Sequence, residues 1–231
     1  MAKKIAILQS NYIPWKGYFD IINTVDEFIF YDEMQYTKND WRNRNKIKSQ
    51  NGVQWITIPV IQNNLEQKIN ETVVFDKKWN IKHWRTLQQS YSKAPYFKQY
   101  KETFEELYTN IGTEYLSQIN YKLIQTICSI LGITTSLTWS ENYKIGEGKT
   151  ERLVRLVQAA GGTEYVSGPA ARDYLDVSLF EKEGITVSWM DYSNYPEYHQ
   201  LFPPFEHGVS VLDLIFNEGP NSPNLMKTFN R

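Results

Sequence analysis

Residues 5–31, IAILQSNYIPWKGYFDIINTVDEFIFY, decide the fold. Ile5 to Gln9 reads as a short buried strand, followed by the turn-rich Ser10-Asn11-Tyr12-Ile13-Pro14-Trp15. Gly17 to Thr24 reads as a short helix and Glu27 to Tyr31 as a second strand. Strand, loop, helix and strand in that order make a βαβ unit. Downstream the alternation pauses and then resumes. A polar segment runs from Asp32 to Lys46, Val53 to Ile58 forms a strand closed by Pro59, and Glu71 to Phe75 is a further strand candidate. The spacing then predicts helices over Trp79–Tyr91, Tyr96–Asn110 and Thr113–Leu131, the last with an apolar stripe of Tyr115, Ile119, Leu123, Ile127 and Ile130. From Thr135 come strands at Thr135–Trp139, Thr163–Ser167 and Ile185–Met190, a helix at Thr150–Ala160, a helical turn near Tyr174 and a final helix at Val209–Asn217. The expected fold is therefore α/β, a mainly parallel, doubly wound (Rossmann-like) sheet with a helical insertion in the middle third. One domain is expected over 1–231, with α/β parts at about 1–76 and 132–231 and the insertion at about 77–131.

Composition excludes several function classes. The 231 residues carry 25 Lys+Arg against 26 Asp+Glu, a net charge of -1, so a nucleic-acid partner is not expected. With 41% hydrophobic and 22% charged residues the chain is of ordinary globular type, not disordered. No apolar run approaches the roughly 20 residues of a transmembrane helix. Met1-Ala2-Lys3-Lys4 leads directly into the first strand without a signal-peptide core, so a cytoplasmic location is expected. The single cysteine, Cys128, rules out intramolecular disulfides and a Cys-cluster metal site; it lies beside the apolar stripe and reads as a buried structural thiol. Oligomeric state is left open. The unusual number is 15% aromatic residues, from 7 Trp, 16 Tyr and 11 Phe, which hints at a ligand surface.

Two segments could form one. The loop after the first strand offers Gln9, Asn11, Tyr12, Trp15, Lys16 and Tyr18, enough to bind a base or sugar at the carboxyl end of a parallel strand, although the same residues also suit a packed turn. Beyond the second strand lies the most basic stretch, with Gln35, Tyr36, Trp41, Arg42, Asn43, Arg44 and Asn45. If extended from Trp41, it puts Arg42, Arg44, Lys46 and Lys48 on one face, a cationic row suited to a diphosphate, with Trp41 or Tyr36 to stack on a base. A charge-protected edge strand is the plainer reading. The three histidines, His83, His199 and His207, have no metal-ligand spacing, so no metal is expected. Gly146-Glu147-Gly148-Lys149-Thr150 mimics a phosphate loop, but Tyr143 stands where its first glycine belongs, and a helix N-cap at Thr150 explains it better.

Taken in order, Gln9 to Phe19, Asp32 with Gln35-Tyr36, Trp41 to Asn45, Trp79 to His83, Tyr91 with Ala94 to Phe97, Tyr165-Val166-Ser167-Gly168 and Ser210 to Gly219 resemble the WbqC-like family across essentially the whole chain. His199 and His207 depart from that pattern, in a segment where the family more often has Tyr-Pro-Gln and an Asn before the final Ser. The resemblance implies work in bacterial O-antigen and surface-polysaccharide synthesis. More finely, it implies N-acyl or aminoacyl (such as glycyl) transfer to the amino group of a dTDP-type amino sugar. Ser167 and Gly168 join the binding set on this ground, and His83 or Asp32 would supply the base that frees the amine. The donor would be a thioester on coenzyme A or on an acyl or peptidyl carrier protein, with no tightly bound cofactor. The alternatives are a nucleotidyl transferase or ATP-dependent ligase, disfavoured because the first loop lacks a paired-histidine signature, and a non-catalytic scaffold.

Overall fold

The computed structural model describes residues 2–146 and 148–229, so Glu147 of the rejected phosphate-loop segment lies outside the described residues. In chain order the α/β elements are β1 (Lys4–Leu8), α1 (Lys16–Thr24) and β2 (Glu27–Phe30), then β3 (Arg44–Ser49) and β4 (Gly52–Thr57). Helices α2 (Trp79–Tyr91), α3 (Phe97–Thr109) and α4 (Leu116–Leu131) follow. The chain closes with β5 (Ser136–Trp139), α5 (Thr150–Ala159), β6 (Glu164–Ser167), α6 (Val177–Lys182), β7 (Thr186–Trp189) and α7 (Val211–Glu218).

Five strands form one parallel sheet in the order β5-β2-β1-β6-β7. Period two explains why it is wound on both sides. Ala6, Phe28 and Phe30 face a cluster with Phe19, Ile22, Leu123, Ile127 and Leu212, while Ile5, Ile7 and Ile29 face a second cluster with Val154, Val157 and Phe180. Strands buried on both faces need near-continuous apolar residues, which is how Ile5–Leu8 of β1 and Phe28–Phe30 of β2 read. The chain runs outward from β1 to β2 and β5, then returns to β6 and β7 on the other side, so the direction of winding reverses between β1 and β6. Ligands of such sheets sit at that reversal, beyond the carboxyl ends of the strands. Here β1 pairs with β2 from Ile5↔Glu27 to Leu8↔Phe30 but with β6 only at Lys4↔Glu164 and Ile5↔Tyr165, so β1 and β6 part where the crevice opens.

The middle helices share their core with the sheet: Leu116, Ile119, Leu123 and Ile127 of α4 belong to the same cluster as Phe28 and Phe30. Tyr115, expected in that stripe, is 43% exposed because α4 begins one residue later. Two other expectations change. The polar segment after β2 runs into a strand at Arg44, and β3 pairs antiparallel with β4 as a hairpin separate from the main sheet. Residues Glu71–Phe75 make only isolated bridges, Val60↔Val74 and Val73↔Tyr115, rather than a strand. An irregular arm, residues 190–210, connects β7 to α7. Among the described residues no helix is long and apolar enough to cross a membrane.

Candidate functional site

The loop after β1 is held in one shape by side chains from three distant segments. Asp32, directly after β2, accepts from the Ser10 N–H at 2.7 Å, from Ser10 Oγ at 2.7 Å and from Ser117 Oγ of α4. Asn45, on the inner face of β3, donates to the carbonyls of Tyr12 and Ile13 at 3.0 and 2.9 Å. Ile13 is fully buried with φ +35°, a conformation that costs a β-branched residue on the order of 1–3 kcal/mol and persists only when over-determined. Val211, opening α7, caps the turn through its N–H to the Pro14 carbonyl at 2.9 Å. Trp15 then folds over Gly17, where a Cβ would come within 2.3 Å of the indole. Only glycine leaves room for that ring.

Two cavities open on either side of this loop. The first, about 420 Å³, lies where β1 and β6 diverge and is lined by Gln9, Tyr31, Met34, Arg42, Tyr165 and Ser167, and also by Gly168 and Tyr174. The second, about 220 Å³, is bounded by Asn11, Pro14, Trp15, Trp41, Asn45 and Gly208. Arg42 joins them. Its guanidinium donates to Gln9 Oε1 in the first cavity and to Asn11 Oδ1 in the second, with Asp40 at 3.6 Å, and its carbonyl is held by Asn120 Nδ2 at 2.8 Å. A planar, permanently charged guanidinium at the junction has the chemistry to meet a phosphate or carboxylate, with part of its charge already balanced by Asp40.

The two residues expected to act as a base are placed behind the loop and line neither cavity. Asp32 is 1% exposed, and burial raises its carboxyl pKa while the Ser117 and Ser10 hydrogen bonds and the Arg42 charge pull it back. His83 is 7% exposed, and its Nε2 faces the Thr57 carbonyl at 3.0 Å. A carbonyl only accepts, so Nε2 carries the proton and the neutral ring accepts at Nδ1 from the Tyr12 hydroxyl at 2.8 Å. Tyr12 in turn accepts from Tyr108 at 2.7 Å. Burial pushes the His83 pKa down to about 4 and the Tyr12 pKa well up, so the chain is neutral at pH 7.

The expected cationic row is divided by the tertiary structure. Arg44, Lys46 and Lys48 do share the outer face of the hairpin, but Arg42 sits in the preceding turn and reaches the cavities instead. Arg44 lies 4.2 Å from the centre of the Trp55 ring and Lys46 5.4 Å from it. Lys48 is buried under the C-terminal arm, on Gln200 Oε1 at 2.7 Å and on the Pro204 carbonyl. These four groups do not converge on a single diphosphate.

Other expected residues have local duties. Tyr18 is buried and donates to the Gln9 carbonyl at 2.9 Å; Asn43 Nδ2 donates to the Ile58 carbonyl at 2.8 Å. Gln35 and Tyr36 are tied to the 65–68 segment, through the Leu65 carbonyl and the Gln67 carbonyl respectively. Lys16 is 3% exposed within a cage of Tyr195, Tyr198 and Phe205, and burial lowers its pKa to about 8. Cys128 is buried and its thiol is pushed up to about 12. Among the described residues no group of three or more His, Cys, Asp or Glu side chains is arranged to hold a metal ion. Tyr31, Tyr165, Tyr174, Trp55 and Gly208 were missed by sequence reasoning. Tyr31 reaches the larger cavity through the pairing of β2 with β1, Tyr165 through that of β6 with β1, and Trp55 the hairpin face through that of β4 with β3, while Tyr174 and Gly208 come from the segments after β6 and β7.

The family model described as the WbqC-like protein family matches residues 9–225, a span that begins at the first loop residue and takes in every cavity-lining position from Gln9 to Gly208. A Mycobacterium tuberculosis (strain ATCC 25618 / H37Rv) protein, "Uncharacterized protein Rv1507c", is 50% identical over 226 residues, covering 97% of this chain and 98% of its own. No solved structure matches. On the extent of both matches, the chain belongs to the WbqC-like protein family.

Proposed function

We propose that the protein is a transferase of bacterial surface-polysaccharide synthesis that acylates or aminoacylates the amino group of a nucleotide-linked amino sugar. The observation that carries this reading is the pair of cavities joined at Arg42: one at the reversal of a parallel sheet, where nucleotides bind, and one lined by aromatic rings and amides. In this reading the nucleotide lies in the larger cavity against Tyr31, Tyr165 and Tyr174. Its phosphates meet Arg42, with Gln9, Ser167 and Gly168 alongside, and its sugar extends past Arg42 into the cavity of Trp15, Trp41 and Asn45. The sugar amine, whose ammonium proton has passed to solvent water, attacks the carbonyl carbon of a thioester. The C–N bond forms, the C–S bond breaks, and the departing sulfur takes the proton that nitrogen loses. Asn11, whose Oδ1 is occupied by Arg42, keeps its amide N–H groups to donate to the developing oxyanion. Asp32 and His83 are positioning residues here, since each only holds the first loop, through its bonds to Ser10 and Tyr12 respectively.

The test incubates the purified protein with dTDP-4-amino-4,6-dideoxyglucose and a panel of acyl and aminoacyl thioesters, with mass detection, alongside calorimetric titration of dTDP. Arg42→Ala is expected to weaken dTDP binding at least tenfold and Arg42→Lys nearly as much, because a compact ammonium lacks the planar fork whose two nitrogens reach Gln9 and Asn11 separately and present a flat edge to a phosphate. Nucleotide-sugar binding without mass gain across the panel overturns the transfer step; no binding at all overturns the reading.

A further inference from the structure

The outer face of the β3–β4 hairpin carries a feature that the two cavities do not absorb. Trp41 and Trp55 are 42% and 45% exposed, with ring centres 5.2 Å apart and planes inclined at 40°. Arg44 lies 4.2 Å from the Trp55 ring centre, and Lys46 stands directly opposite Trp55 in the hairpin register. At the Lys48 end the same face is covered by the C-terminal arm through Gln200 and Pro204. The uncovered end is therefore a strip of two indoles and two cations. Trp41 belongs both to that strip and to the wall of the smaller cavity. The strip is thus the threshold of the cavity rather than a separate patch.

Size decides what such a threshold serves. The smaller cavity, at about 220 Å³, is below the roughly 300–1,000 Å³ of sites that enclose a whole ligand, so a molecule entering it leaves its bulk outside. Indole faces hold flat rings, and an adjacent guanidinium and ammonium hold phosphate oxygens.

We propose that Trp41, Trp55, Arg44 and Lys46 form a docking platform for the nucleoside-phosphate end of the second substrate, whose reactive end meets the sugar amine at the mouth of the smaller cavity. The assignment rests on the transferase reading and names its donor as a soluble nucleotide thioester of the coenzyme A type. Larger donors carried on an acidic protein would meet the same strip by charge alone, and they form an outcome of the test.

The test titrates coenzyme A, 3′,5′-adenosine diphosphate, adenosine and ribose 5-phosphate into the wild-type protein and the Trp55→Ala, Trp55→Phe and Arg44→Ala variants, with dTDP as a reference ligand. Both phosphorylated adenosines are expected to bind at least tenfold more tightly than adenosine or ribose 5-phosphate. Trp55→Ala and Arg44→Ala are expected to lose at least tenfold for them, Trp55→Phe to recover part of the loss, and dTDP to change less than twofold. Unchanged melting temperatures show that the folds are kept, as the exposure of Trp55 leads one to expect. Adenosine phosphates that fail to bind at millimolar concentration, or that bind Trp55→Ala as they bind wild type, overturn the platform while leaving dTDP binding to judge the transferase reading separately. A loss of dTDP affinity in Trp55→Ala also overturns it, because the strip then serves the first nucleotide. So does transfer from a loaded acidic carrier protein that depends on Trp55 while coenzyme A thioesters remain inert.

Discussion

Replacing Asn45 tests whether the first loop is held in a strained shape by one amide. Asn45 is 2% exposed; its Nδ2 spans the Tyr12 and Ile13 carbonyls at 3.0 and 2.9 Å, and its Oδ1 accepts the Lys46 N–H at 2.7 Å. In Asn45→Ala two buried carbonyls lose their donors, a loss of about 3 kcal/mol at roughly 1.5 kcal/mol each. Relaxation of Ile13 from φ +35° returns on the order of 1 kcal/mol, leaving a net loss of about 2 kcal/mol. For a chain of this size each kcal/mol moves the melting temperature by about 2–4 °C, so the expected drop is roughly 4–8 °C. Asn45→Asp should be worse, because its carboxylate oxygen would face two carbonyl oxygens in a buried site. Scanning calorimetry at pH 7 gives the order, and titration of dTDP should show weaker binding in both variants because Asn11 and Arg42 lose their shared frame. An Asn45→Ala melting temperature within 1 °C of wild type, or an Asn45→Asp protein more stable than Asn45→Ala, refutes the reasoning.

Two further outcomes follow from the same frame. The His83 pKa is about 4 in the fold against about 6.5 when unfolded, so the unfolded chain takes up a proton that the folded chain refuses. Stability should therefore fall as pH drops from about 6.5 toward 4. His207, also lowered, acts in the same sense, whereas Asp32 and Asp213, both raised, act in the opposite one. The contribution of His83 is read by difference: His83→Gln should lose less stability than wild type between pH 7 and pH 5 in denaturant titrations, and equal losses would remove His83 as the cause. Gly17→Ala places a Cβ 2.3 Å from the Trp15 indole and should push that ring out of its contacts with Tyr192 and Tyr195. Trp15 then projects into the smaller cavity or into solvent, and the variant should lose thioester-dependent turnover while still binding dTDP; full turnover would contradict the packing argument.

The elements legible in the sequence are those whose signal is local. Ile5-Ala6-Ile7 and Phe28-Ile29-Phe30 announce strands buried on both faces, and the stripe of Ile119, Leu123 and Ile127 announces α4, because alternation and helical spacing are properties of neighbouring residues. The first loop and Arg42 were also legible as binding candidates, from amides, aromatics and cations gathered next to strand ends. The hairpin was half legible: β4 reads as a strand, but the partner strand β3 is so polar that only its pairing with β4 reveals it.

By itself, then, the sequence determined the α/β class, the two-sided burial of the central strands and the family to which the chain belongs. Only the tertiary structure decided which polar residues face a cavity. Arg42 and Lys48 look alike in a list of cations, yet one stands between two cavities and the other is enclosed by Gln200 and Pro204 from the far end of the chain. His83 and Asp32 look like bases, yet each is committed to holding the loop from behind. The reason is physical: burial and hydrogen-bond partnership are set by segments brought together across the fold, and no local periodicity encodes which side chain such a segment will cover.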